Sequence, residues 1–162
     1  MRRVLIVCHA NTSRSIIAEA RLRKLLRVRQ RDDVIVRSGG IAPYARDSSL
    51  VSLDARLLLR EDDIEIPADA TACDLKRHRH HLAAADLIVT MTVEQKRMLG
   101  DFPEAAGKEA WTLRELAGEA GDIEDPAGRE ADFHRSCRDE IYRCLEKAID
   151  RIAPPLPARG AS

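Results

Sequence analysis

With 162 residues, 27 basic and 27 acidic side chains and no formal net charge, the chain offers no overall field for nucleic acid or an anionic membrane surface. No apolar run is long enough to span a membrane, Arg2 and Arg3 precede only five apolar residues, and Cys8, Cys73, Cys137 and Cys144 lack the Cys-x-x-Cys spacing of a zinc site. These features predict a cytoplasmic protein with free thiols and neither metal nor cofactor. The length suits one domain over residues 1–153, followed by a disordered Pro- and Gly-rich tail at 154–162.

Residues 4–7 (VLIV) form an apolar run that ends in Cys8, the pattern of a buried strand. A turn of small and polar residues follows, and an apolar-periodic helix runs over 15–28 with Ile16, Ile17, Ala20, Leu22 and Leu25 on one side. Five residues separate Cys8 from Arg14. A loop this short between a strand and a helix can curl round a phosphate-sized dianion. It would line the anion with the backbone of His9, Ala10, Asn11, Thr12, Ser13 and Ser15 and with the first turn of the helix. Arg14 adds a planar fork for the anion's oxygens, and the same positive field favours a thiolate on Cys8. The bland alternative is a small buried cysteine closing a core strand before a Ser-capped helix.

Further along, residues 34–36 predict a short strand, and Ser38-Gly39-Gly40 a turn at its carboxyl end. A helix is expected over 49–60 with Leu50, Leu53, Leu57 and Leu58 as its packed stripe, whereas 64–71 is interrupted by Pro67. The run from Lys76 to His81 reads as the solvated face of a short helix packed through Leu75 and Leu82. No nearby Cys, Asp or Glu completes a metal-ligand set with its histidines. Strands are expected at 86–91 and 111–113, a short helix at 93–99, a loop with three acids at 121–126, and a closing helix at 131–153. The alternation predicts a three-layer α/β fold, an open sheet of about four parallel strands with helices on both faces in a Rossmann-like arrangement.

On Cys8-His9-Ala10-Asn11-Thr12-Ser13-Arg14-Ser15 together with Asp125-Pro126, the chain resembles the low-molecular-weight protein tyrosine phosphatase family. Ser38-Gly39-Gly40 and residues 85–91 match that family in order and spacing. Thr12, residues 85–96, Phe102-Pro103, Thr112-Leu113 and the stretch 121–126 look most like its bacterial protein-arginine phosphatases. The resemblance implies a cysteine-dependent protein phosphatase acting on phosphotyrosine or phosphoarginine in a protein or peptide, as a monomer or weak dimer. In it Cys8 is the nucleophile, Arg14 and the loop amides hold the phosphoryl group, and Asp125 is the general acid and then base. Ser15 would donate to the thiolate, Asn11 would brace the loop, and Asp122 would orient a basic leaving group. Tyr44, which follows the Ser38-Gly39-Gly40 segment, is a candidate for the pocket rim.

The chain departs from the family pattern at several positions. Ala10 replaces a glycine, which predicts loop strain or altered anion binding, and Ser13 replaces a second cysteine that would resolve an oxidised Cys8. Ile16 replaces a proline. Ala127 stands where an aromatic wall is expected, and 69–74 lacks the usual His-Arg stretch. Two rival readings remain. An arsenate reductase of the same fold needs two further reactive thiols, and a non-catalytic phosphate- or phosphoprotein-binding regulator would keep the loop without turnover.

Overall fold

The computed structural model describes residues 1–158. Its centre is β1 (Arg2–Cys8), flanked by β2 (Val34–Gly40) on one side and by β3 (Leu87–Thr90) and β4 (Glu109–Thr112) on the other. All pairs are parallel, in the order β2-β1-β3-β4. From Val4 to Cys8, β1 is apolar because both of its faces are covered. Val4, Ile6 and Cys8 enter one core, and Leu5 and Val7 enter the other.

The larger core is closed by α1 (Arg14–Val28), α2 (Leu53–Arg60), α5 (Leu113–Leu116) and the long α6 (Ala131–Ile152), through residues such as Leu22, Leu59, Leu113 and Ile141. The smaller core holds Leu75, Leu99, Phe102 and Leu82 of α3 (His80–Ala84). The remaining helix, α4 (Val93–Met98), follows β3. The fold is thus the expected parallel α/β sandwich. The chain leaves β1 toward β2 and later returns to place β3 on the opposite side, so the loops after β1 and β3 flank a crevice at the strands' carboxyl ends. Among the described residues, no helix is long and apolar enough to cross a membrane.

Four expectations need correction. Ser38-Gly39-Gly40 is strand, paired with Ile6, Val7 and Cys8, and the chain turns only afterwards. The glycines serve close approach instead. A Cβ on Gly39 would lie 2.5 Å from the Leu75 side chain, and one on Gly40 would lie 2.8 Å from the His9 carbonyl oxygen.

The second helix starts at Leu53, because Ser52 caps it through the Ala55 N–H and Ser49 and Val51 bond to Ala72 and Ala70. Its Leu50–Leu53–Leu57 stripe is exposed, and Ala55, Leu58 and Leu59 face inward. The basic run lies mostly in turns before α3. Its Lys76 is tied to the Asp74 carboxylate and to the carbonyls of Ala42 and Ala45, so it is more than a solvated face. Of the expected tail, 154–158 has no regular structure, and 159–162 lie outside the described residues.

Gly40→Ala should test the close-approach reading. Its Cβ meets backbone of the loop after β1, which cannot step aside, so stability should fall by about 1–3 kcal/mol in urea unfolding. Gly100→Ala, which meets nothing within 4 Å, should shift it by no more than about 0.5 kcal/mol.

Candidate active site

The loop between β1 and α1 turns on one residue. Asn11 has a φ of +61°, in the left-handed region that asparagine tolerates better than most side chains. Ala10 does not take a positive φ, so the strain expected from losing glycine there is not found. With the chain turned this way, the Asn11 N–H donates to Cys8 Sγ at 3.2 Å, and Ser15 Oγ lies 2.9 Å from the same sulfur.

The Asn11 side chain ties this arrangement to the sheet. Its Oδ1 accepts from the Cys73 backbone N–H at 2.8 Å, and its Nδ2 donates to Ser15 Oγ at 2.7 Å and to Ser38 Oγ at 2.9 Å. Ser38 donates onward to the Glu19 carboxylate at 2.8 Å. Burial pushes the Glu19 carboxyl above its usual range, against the pull of Arg23 beside it. Asn11 and Ser15 are almost wholly buried, so each of these groups would carry a desolvation penalty if left unpaired.

Two more braces come from the other loops. Gln95 Oε1 accepts from the N–H groups of Met91 and Thr92, which leaves its Nε2 to donate to His9 Nδ1 at 2.6 Å. The His9 ring stacks nearly parallel to Tyr44, with centroids 6.4 Å apart. Buried Arg14 donates through Nη1 to the Ile123 carbonyl at 2.8 Å, and its Nη2 lies 3.7 Å from the carboxylate of Asp125. Asp125 is about half exposed (54%), and its other oxygen accepts from the Ala127 N–H. Arg14 thereby links the start of α1 to the loop that carries the acid.

A cavity of about 560 Å³ opens over this loop. Cys8, Ala10, Thr12, Ser13, Arg14, Tyr44, Asp125 and Ala127 all line it. The Ser13 hydroxyl is buried without a partner. His9, Asn11 and Ser15 brace the lining from outside it. Asp122 is not among the lining residues. Its carboxylate accepts from the Val93 N–H at 2.9 Å, satisfying an open amide at the start of α4 and supporting the loop.

The sequence reading missed Ser52, Asp54, Arg129 and His134, which also line the cavity, and Gln95 behind it. His134 Nε2 lies 3.7 Å from the Asp54 carboxylate. Only Gln95 had a local signal, the Thr92-x-x-Gln95 capping box, and that box is formed. Cys8 is the one cysteine of the lining. Burial pushes the thiols of Cys73 and Cys137 up to about 11 and raises that of Cys144, and none of the three lines the cavity.

Comparison with known proteins gives a consistent result. A model of the family described as low molecular weight phosphotyrosine protein phosphatase matches residues 3–155. A protein-arginine-phosphatase from Geobacillus stearothermophilus is 38% identical over 156 residues, 95% of each chain. The low molecular weight protein-tyrosine-phosphatase PtpB of Staphylococcus haemolyticus is 32% identical over 145 residues, 90% of this chain and 96% of that one. Among solved structures, a cysteine-to-serine mutant of the YwlE arginine phosphatase with a phosphorylated active-site serine is similar at a TM-score of 0.82. It is 27% identical, and the match covers 94% of this chain and 96% of that one.

Substitutions at Asn11 separate its backbone from its side chain. Asn11→Ala loses three side-chain hydrogen bonds and keeps an unfavourable φ, and should destabilise the protein by about 3 kcal/mol. Asn11→Gly, which relieves only the backbone, should recover roughly 1 kcal/mol of that loss, read from urea midpoints.

Proposed function

This chain belongs to the low molecular weight phosphotyrosine protein phosphatase family, and from that premise we propose that it hydrolyses phosphoarginine in protein or peptide substrates through a phosphocysteine on Cys8. The observation that carries the reading is the placement of Cys8 Sγ. It lies at the cavity lining under the Asn11 N–H and the Ser15 hydroxyl, with Arg14 and Asp125 in the same wall.

In the first step the Cys8 thiolate attacks phosphorus, an S–P bond forms and the bond to the leaving nitrogen or oxygen breaks. Asp125, reaching out beside the cavity, protonates the leaving group. Arg14 and the open amides of the loop hold the phosphoryl oxygens. The tie to the Ile123 carbonyl fixes the guanidinium before substrate arrives, so little reorganisation is left for the reaction. In the second step water attacks phosphorus and passes a proton to Asp125, the S–P bond breaks and phosphate leaves. The Ser15 hydrogen bond stabilises the sulfur as it departs.

Phosphoarginine is favoured over phosphotyrosine by the rest of the cavity. Thr12 stands in its wall, and Ala127 supplies no aromatic face for a phenyl ring. Asp54 presents a partly exposed carboxylate, the charge that suits a guanidinium. The similarity to a protein-arginine-phosphatase supports the same preference. Phosphotyrosine is the second reading, supported by the similarity to PtpB and by Tyr44 at the cavity.

Phosphate release by the reduced protein from matched phosphoarginine and phosphotyrosine peptides is the test. We expect a clear phosphoarginine preference, with Cys8→Ser at the level of the blank. Asp125→Asn should lower turnover by roughly 100-fold or more. With an aryl phosphate whose leaving group needs no proton, it should accumulate phosphocysteine. Preference for phosphotyrosine would overturn the substrate assignment, and turnover by Cys8→Ser would overturn the mechanism.

A further inference from the structure

In the sequence, no Cys, Asp or Glu completes an obvious ligand set with the histidines of the basic run. In the fold, two such residues come to one of them. Cys73 Sγ, an Asp47 carboxylate oxygen and a ring nitrogen of His78 all lie within 4.8 Å of one another, and all three residues are partly exposed. They come from two separate connections, Asp47 between β2 and α2, and Cys73 and His78 between α2 and α3.

We propose that Asp47, Cys73 and His78 form a binding site for a divalent cation of borderline softness, zinc or its class, with water completing a tetrahedron. A thiolate, an imidazole and a carboxylate are a zinc-type donor set, whereas magnesium and calcium prefer oxygen alone. Bonds of about 2.0–2.3 Å place neighbouring ligand atoms of a tetrahedral zinc roughly 3.3–3.8 Å apart. The present spacings bracket that range. His78 Nε2 lies 2.9 Å from Asp47 Oδ2, and no pair of ligand atoms exceeds 4.8 Å. An ion inserted between the ring and the carboxylate therefore needs only small side-chain shifts.

The ligands are also held from behind, as metal ligands usually are. Asp47 Oδ1 accepts from the Asp74 N–H at 2.7 Å, which leaves Oδ2 for the site. The Cys73 backbone is fixed at both ends, its N–H on Asn11 Oδ1 and its carbonyl on the Gly40 N–H, each at 2.8 Å. The nearby Lys76 ammonium is engaged by Asp74 and by the carbonyls of Ala42 and Ala45. A thiolate and a carboxylate balance the two charges of the ion. Because Cys73 also donates to Asn11, an ion here pins the connection on which the loop around Cys8 rests.

The test uses Co(II), then Zn(II), on the reduced Cys8→Ser protein, so that Cys8 cannot be the ligand and no phosphatase activity is needed. Co(II) should give a thiolate-to-metal charge-transfer band that saturates at one equivalent and is displaced by Zn(II). The band should vanish in Cys8→Ser/Cys73→Ser. In Cys8→Ser/His78→Ala it should persist with affinity weakened by roughly tenfold or more. Zn(II) should raise the Tm of Cys8→Ser and leave that of the Cys73→Ser double variant unchanged. Absence of the band in Cys8→Ser, its survival without Cys73, or unchanged affinity without His78 would each overturn the site and leave Asp47–His78 as an ordinary surface ion pair.

Discussion

The Asn11 side chain can point only one way, and the hydrogen bonding around Cys8 depends on that. The Cys73 N–H is a fixed donor, so it must meet Oδ1, and Nδ2 is thereby turned to the hydroxyls of Ser15 and Ser38. Ser15 Oγ, already accepting from Asn11, has its own hydrogen free for Cys8 Sγ, and Ser38 spends its hydrogen on Glu19. The network therefore runs with its donors toward the sulfur, where the Asn11 N–H also arrives. Flipping the Asn11 amide would leave its Nδ2 facing the Cys73 N–H, donor against donor, which is how a buried polar network specifies one arrangement.

The sheet provides what this loop needs. Cys8 ends the strand that is buried on both faces, and is itself buried. Gly40, in register with Cys8 on β2, leaves room for the loop backbone at His9 and Ala10. Helix α4, which follows β3, sends Gln95 to His9, and Ile123, whose N–H bonds to Met91, offers its carbonyl to Arg14. The acid, by contrast, sits in an exposed segment between two glycines with positive φ, Gly121 and Gly128. Buried groups thus surround the sulfur, whereas the Asp125 carboxylate is half exposed to solvent.

Much of this was legible from contiguous residues. The apolar run into Cys8, the Cys-x5-Arg spacing and the following helix lie side by side in the chain, and their local pattern matches the fold. Asp125 is different. Nothing local brings it to Arg14, and only the family resemblance pointed there. Ser38-Gly39-Gly40 misled because two glycines after a serine suggest a turn, whereas what requires them is Leu75 and the His9 carbonyl, both remote in sequence. The partner of Asp122 was not legible, because an acid in a loop gives no sign of which amide it will meet. Asp54 and His134 approach each other from α2 and α6, and the Asp47, Cys73 and His78 cluster is likewise assembled by folding. What escaped the sequence reading was mostly set by long-range packing, and the Thr92-x-x-Gln95 box is the exception.

The central claim is that the loop holds a reactive thiolate beneath an anion site. Its most direct test is the rate at which each cysteine is alkylated by iodoacetamide at neutral pH, mapped by peptide mass, with and without inorganic phosphate. The account predicts that Cys8 reacts well before Cys73, Cys137 and Cys144, and that phosphate slows its reaction selectively. A Cys8 no faster than the other thiols, or one that phosphate does not protect, would contradict it.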